Sequence, residues 1–149
     1  MIIVLALGFL TMSICLVFQA IASVLAVRYF ARATKRPPGR KPWRSIFRQF
    51  SVLMMMLMIG NIAQVAFWAL LYRALGAFED FETAMYFSGV TFTSLGYGDV
   101  VLQGRIRLLG PLQAASGLMM YGITTAFFIS AVQHATEKWA AANRIHRDR

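Results

Sequence analysis

No acidic residue occurs before Glu79, and the 149-residue chain holds only 6 Asp and Glu against 15 Lys and Arg. Charge of either sign is scarce at 14%, while 58% of the residues are hydrophobic. An ordinary soluble domain is about 25% charged and roughly 45–50% apolar, so this balance excludes a water-soluble globular fold and requires segments that lie in lipid. A single cysteine, Cys15, sits in an apolar run. One thiol makes no intrachain disulfide, and its expected role is to fill the core. His134 and His146 are remote from each other and from any cysteine or carboxylate cluster, so no metal site and no bound cofactor are expected. Three membrane helices of about 20 residues each leave little chain for a catalytic or sensing domain beside them, and no enzymatic activity is expected.

The first apolar run, residues 1–27, contains no charged side chain. At about 1.5 Å per residue it makes a helix long enough to span a bilayer with some tilt. A secretory signal peptide would show a positive leading segment and a shorter apolar stretch, and neither is present. The segment that follows, residues 28–50, holds eight of the 15 basic residues, among them Arg28, Arg32 and Arg48, around the helix-breaking Pro37, Pro38 and Gly39. Charge of one sign beside a membrane span predicts a cytoplasmic loop, which puts the amino terminus outside and the carboxy-terminal tail inside. Each Lys or Arg near an anionic leaflet contributes about 1 kcal/mol, so anionic lipid is the expected partner of this segment and nucleic acid is not.

A second apolar run, residues 51–75, predicts an outer helix and carries Asn61 and Gln64, which are expected to hydrogen-bond between helices. Glu79, Asp80 and Glu82 then open a short segment of helical spacing, residues 80–93, where acidic side chains suit the positive end of a helix dipole. The third run, residues 106–133, is punctuated by Gly110, Gly117 and Gly122, has Pro111 at its start, and leads into a tail at 134–149. Four of the six acids, Glu79, Asp80, Glu82 and Asp99, fall on the side opposite the basic segment.

Between the short helix and the third run the chain reads Thr93-Ser94-Leu95-Gly96-Tyr97-Gly98-Asp99. This resembles the selectivity filter of potassium channels, whose pattern is Thr-Val-Gly-Tyr-Gly-Asp, with Ser94 at the threonine and Leu95 at the valine. The resemblance covers residues 51–133, the pore module of small prokaryotic-type channels with two helices per subunit, and leaves the first helix outside it. A glycine-rich turn would account for the glycines alone, but a turn needs no preceding helix at membrane depth. Carbonyls can replace the hydration shell of a potassium ion only where non-helical backbone lines a water-filled pore. Pointing successive carbonyls the same way demands alternating backbone hands, which Gly96 and Gly98 adopt at little cost.

By this resemblance the carbonyls of Ser94, Leu95, Gly96 and Tyr97 and the Ser94 hydroxyl hold K+, Gly98 completes the filter, and the Leu95 and Tyr97 side chains point away from the axis to brace it. Asp99 stands at the filter mouth. One chain provides one strand, so a ring of carbonyls needs several copies, and the resemblance implies a homotetramer. Tyr86 and Phe87 stand where the family often has tryptophans, and Val90 where some members have a glutamate. Phe87 therefore offers Tyr97 no polar group and Val90 cannot bond to Asp99, which is expected to stay hydrated and ionised without a buried partner.

Met120-Tyr121-Gly122-Ile123-Thr124-Thr125 resembles the middle of a potassium-channel inner helix, which implies a gating hinge at Gly122. Glycine also lets membrane helices approach closely, so hinge and packing contact both stand at this position. Ile123, Ala126, Phe127 and Ser130 share one helical face and are expected to line the inner cavity. The first helix has no arginine at every third position, so no voltage sensor is expected. These features together predict an all-α integral membrane protein with three transmembrane helices, a re-entrant pore helix and a filter loop. It would pass K+ passively as a tetramer, in a membrane that the resemblance implies is a bacterial plasma membrane. A weakly selective cation channel and a non-conducting scaffold or accessory subunit are the alternatives.

Overall fold

A computed structural model describes residues 2–34 and 42–147. They form α1 (Ile2–Thr34), α2 (Pro42–Ala74), the short α3 (Phe81–Phe92) and α4 (Leu109–Arg147), with a 3-10 turn at Gly104–Leu108 leading into α4. No strand occurs among the described residues. Three stretches are long and apolar enough to cross a membrane, namely Ile2–Arg32, Phe47–Ala74 and Gly104–Gln133. At 12 residues α3 is too short to do so. The all-α architecture with three spanning helices and one short helix between the last two is the predicted one.

Each long helix outlasts its apolar run. The expected loop at 28–50 is largely helical, because α1 continues to Thr34 and α2 starts at Pro42, and the connecting residues 35–41 lie outside the described residues. The expected tail is helical as far as Arg147. Alanine, arginine, lysine and glutamate make up about half of 28–34 and 134–147 and are good helix formers, so leaving the membrane does not end α1 or α4. Pro42 and Pro111 both sit in first turns, where the missing N–H costs nothing.

α1 packs against both α2 and α4, and α3 is wedged between α2 and α4. One buried cluster joins all four helices through Cys15, Trp68, Tyr72, Phe87 and Leu109. Tyr72 and Phe87 meet edge to face with ring centroids 5.2 Å apart. A second cluster, Ala26, Phe30, Leu53, Leu57 and Ala131, closes the other end of the bundle. Between the two lie polar contacts at membrane depth. Gln64 Nε2 donates to Gln19 Oε1 at 2.7 Å, and Gln19 Nε2 and Asn61 Nδ2 donate to Thr124 Oγ1 at 3.2 and 3.5 Å. Asn61 and Gln64 thus bond between helices as predicted. Such bonds average about 0.6 kcal/mol each in membranes, so they set the register of α1 on α2 and α4 more than they stabilise the bundle.

Candidate ion-conduction site

The site is built from the two ends of α3. At its start Asp80 caps the helix, its Oδ1 accepting the Thr83 N–H at 2.7 Å from an extended backbone. That bond holds the Asp80 carboxyl below the usual carboxylate range. At its end the chain turns back on the helix. The Thr93 N–H donates to Gly89 O at 3.1 Å, the Ser94 N–H to Thr91 O at 3.0 Å, and the Leu95 and Gly96 N–H groups to Val90 O at 3.0 and 3.4 Å. Thr93 Oγ1 adds a bond to Gly89 O at 2.8 Å. The N–H groups that begin the 94–98 segment are therefore tied to the helix end.

From there φ is positive at Ser94 (59°), Gly96 (57°) and Gly98 (81°) but not at Leu95 or Tyr97. This is the alternation of backbone hands that a line of parallel carbonyls requires. Ser94 is the one non-glycine residue with positive φ among the described residues. A side chain held there costs about 1–3 kcal/mol, and such strain collects at functional sites. The sequence pointed to Gly96 and Gly98 alone; counting the same alternation two residues back would have reached Ser94.

Residues 93–99 are exposed in the single chain. Leu95 is 56% and Tyr97 66% exposed, so the expected brace is not supplied by their own subunit. Asp99 differs from expectation in another way. Its Oδ2 accepts the Tyr86 hydroxyl at 2.6 Å, and its Oδ1 takes the Val100 N–H at 3.0 Å. The missing partner at Val90 is replaced from one turn earlier on α3, because a tyrosine at 86 reaches Asp99 with a donor. The hydroxyl keeps the Asp99 carboxyl below the usual carboxylate range, and in return the carboxylate pushes the Tyr86 phenol up.

Two residues of α4 that the sequence did not mark as site residues hold α3 in place. Gln113 is fully buried and bridges three helices. Its Oε1 accepts the Tyr72 hydroxyl at 2.7 Å, and its Nε2 donates to Ser88 Oγ at 2.6 Å and Ser88 O at 3.1 Å. Ser88 Oγ in turn donates to Val65 O at 2.7 Å. One turn further along, Gly117 leaves room for the backbone of Phe92, whose carbonyl would collide with any Cβ there. A glutamine inside an apolar run was the available signal for Gln113, and the unequal space around the three α4 glycines was not visible at all.

Further along α4, a Cβ added at Gly122 would meet nothing within 4 Å, so no contact in its own chain requires glycine there. Ala126 and Ser130 are exposed and Ile123 is half-buried. Phe127 departs from the expected face, packing instead against the Ala26, Phe30, Leu53, Leu57 and Ala131 cluster. It lies at the edge of the predicted face, where the turn of the helix carries it toward α1 and α2. On the far side of the bundle Arg28, Arg32 and Arg48 are exposed.

Residues 55–134, more than half of the chain, match a protein family described as ion channel. The chain belongs to this ion-channel family. No curated protein and no solved structure matches it. The match takes in most of α2, all of α3, the segment from Ser94 to Gly98 and the membrane part of α4. This ion channel therefore carries a two-helix pore module, with α1 lying outside the match as an added helix packed on it.

Proposed function

We propose that the protein is the pore subunit of a potassium-selective channel, in which four copies set their strands around one axis. The alternating φ at Ser94, Leu95, Gly96, Tyr97 and Gly98, beginning where α3 ends, carries this reading. Carbonyls of Ser94, Leu95, Gly96 and Tyr97 and the Ser94 hydroxyl take the place of the ion's water, and K+ moves down its gradient. The negative end of the α3 dipole faces the start of the strand and favours a cation there. Exposed Leu95 and Tyr97 support assembly, since neighbouring copies would cover them. An open groove lined by Met85, Tyr86, Gly89, Val90, Thr93 and Leu95 runs beside the strand and offers the next copy a seat.

In this assembly Asp99 faces the mouth, Gly122 is the hinge, and Ile123, Ala126 and Ser130 border the inner cavity. The amino terminus lies outside, and Arg28, Arg32 and Arg48 meet anionic lipid on the inner leaflet. Ion flux into liposomes holding the purified full chain tests the proposal. Uptake of K+ without Na+ is expected. Uptake of both would make it a weakly selective cation channel, and uptake of neither a non-conducting scaffold or accessory subunit.

A further inference from the structure

We propose that α1 is a latch on the conduction helix, with Gln19 as a positioning residue that acts through Thr124. This deepens the channel reading and rests on it for the gating measurement alone. Gln19 is 1% exposed in the middle of a largely apolar span. A glutamine at that depth is costly without partners, and it has two on different helices: Gln64 of α2 at 2.7 Å and Thr124 of α4 at 3.2 Å.

Thr124 lies two residues beyond Gly122. Its hydroxyl is used in every direction the chemistry allows, accepting from Gln19 and Asn61 and donating to Met120 O at 2.9 Å. A bend at Gly122 that swings the following half of α4 away from α1 and α2 pulls Thr124 off the Gln19 and Asn61 amides. A Cβ added at Gly122 would meet nothing within 4 Å, so the space beside the bend is open. Below this point Ala26 and Phe30 of α1 pack with Ala131 of α4, so α1 touches the moving half at two levels. The cluster is also not saturated, because Asn61 Oδ1 and Gln64 Oε1 are buried without a partner among the described residues. A fully bonded network would be more rigid, and the two spare acceptors leave this one less tightly fixed.

The test uses the full chain in lipid. Thr124→Val removes the acceptor at constant volume, Thr124→Ser keeps it, and Gln19→Met removes the donor with an unbranched side chain of similar size. Thr124→Val and Gln19→Met are each expected to shift the balance of open to closed α4 by about three- to tenfold per copy, the equivalent of one or two interhelical bonds, and by more in a channel whose copies open together. Thr124→Ser should gate as the wild type, and Gln19→Met should add little in the Thr124→Val background. The ratio of K+ to Na+ permeability should not move in any of them. Hydrogen exchange over residues 118–130 should rise in Thr124→Val and Gln19→Met and not in Thr124→Ser, and this readout needs no conduction. If the wild type passes no ion, the channel reading fails and exchange alone decides the latch. Equal behaviour of Thr124→Val and Thr124→Ser, additive gating effects, or unchanged exchange would overturn it.

Discussion

Gly117 of α4 lies directly against the Phe92 carbonyl, so α4 meets the last turn of α3 backbone to backbone. No flexible side chain can yield there. Gly117→Ala should push α3 off α4 and carry Ser94 with it, at an overpacking cost of about 1–3 kcal/mol. Gly110 has nothing within 4 Å of an added Cβ and serves as the control. Thermal denaturation of the full chain in detergent should show a clear loss of stability in Gly117→Ala and none in Gly110→Ala. Equal stability of the two variants would mean that the approach at Gly117 relaxes easily.

Gly122 is expected to behave differently from Gly117 although both lie mid-helix. Alanine gains about 1 kcal/mol of helix preference over glycine, and no contact in the chain offsets that gain. Gly122→Ala should therefore keep or raise thermal stability while stiffening α4. Single-channel recording should show an altered open probability with the K+ to Na+ permeability ratio unchanged. Wild-type gating in a variant that assembles poorly would identify Gly122 as a contact between copies instead.

The contrast between these glycines marks where sequence stops informing. Three apolar runs follow from composition because burial in lipid dictates them locally, and the position of α3 follows from helical spacing with acidic side chains at its start. Asn61 and Gln64 announced interhelical bonding by being polar in an apolar run, and Gln19 and Gln113 carry the same signal without having been used. What could not be read is which backbone each glycine touches, since Gly110, Gly117 and Gly122 differ only in their neighbours across the bundle. Phe127 similarly turned toward Ala26 and Phe30 because the boundary between packed and open faces depends on where α1 lies. Arginine and alanine at the membrane edges concealed how far the helices continue, since helix propensity and hydropathy part company there.

The Tyr86 bond gives Asp99 a defined pH response. Its folded-state pKa is held below the ordinary value of about 4, so the bond to an ionised carboxylate contributes above that pH and is lost as pH falls through the depressed pKa. Tyr86→Phe removes the donor and should let Asp99 titrate at a higher pH. Channel current recorded while the filter side is acidified from about pH 6 to pH 3 should fall at a higher pH in Tyr86→Phe than in the wild type. Coincident acid profiles would show that the Tyr86 hydroxyl does not govern the Asp99 charge during conduction.

Asp99→Asn separates the charge at the proposed filter mouth from the hydrogen bond that holds it. An asparagine Oδ1 can still accept from the Tyr86 hydroxyl, so the geometry at the mouth should survive while the negative potential is lost. That potential acts by concentrating cations at the pore opening, and salt screens it over a Debye length of about 10 Å at 0.1 M but only about 3 Å at 1 M. Conductance of Asp99→Asn should therefore fall at low ionic strength and approach the wild type above roughly 0.5 M salt. Selectivity should persist at every concentration, because the carbonyls from Ser94 to Tyr97 are untouched. Asp99→Ala removes charge and acceptor together, and any further defect it shows measures the bond to Tyr86. A loss of K+ selectivity in Asp99→Asn that no salt concentration restores would show that the charged form of the bond, and not its geometry, holds the filter in shape.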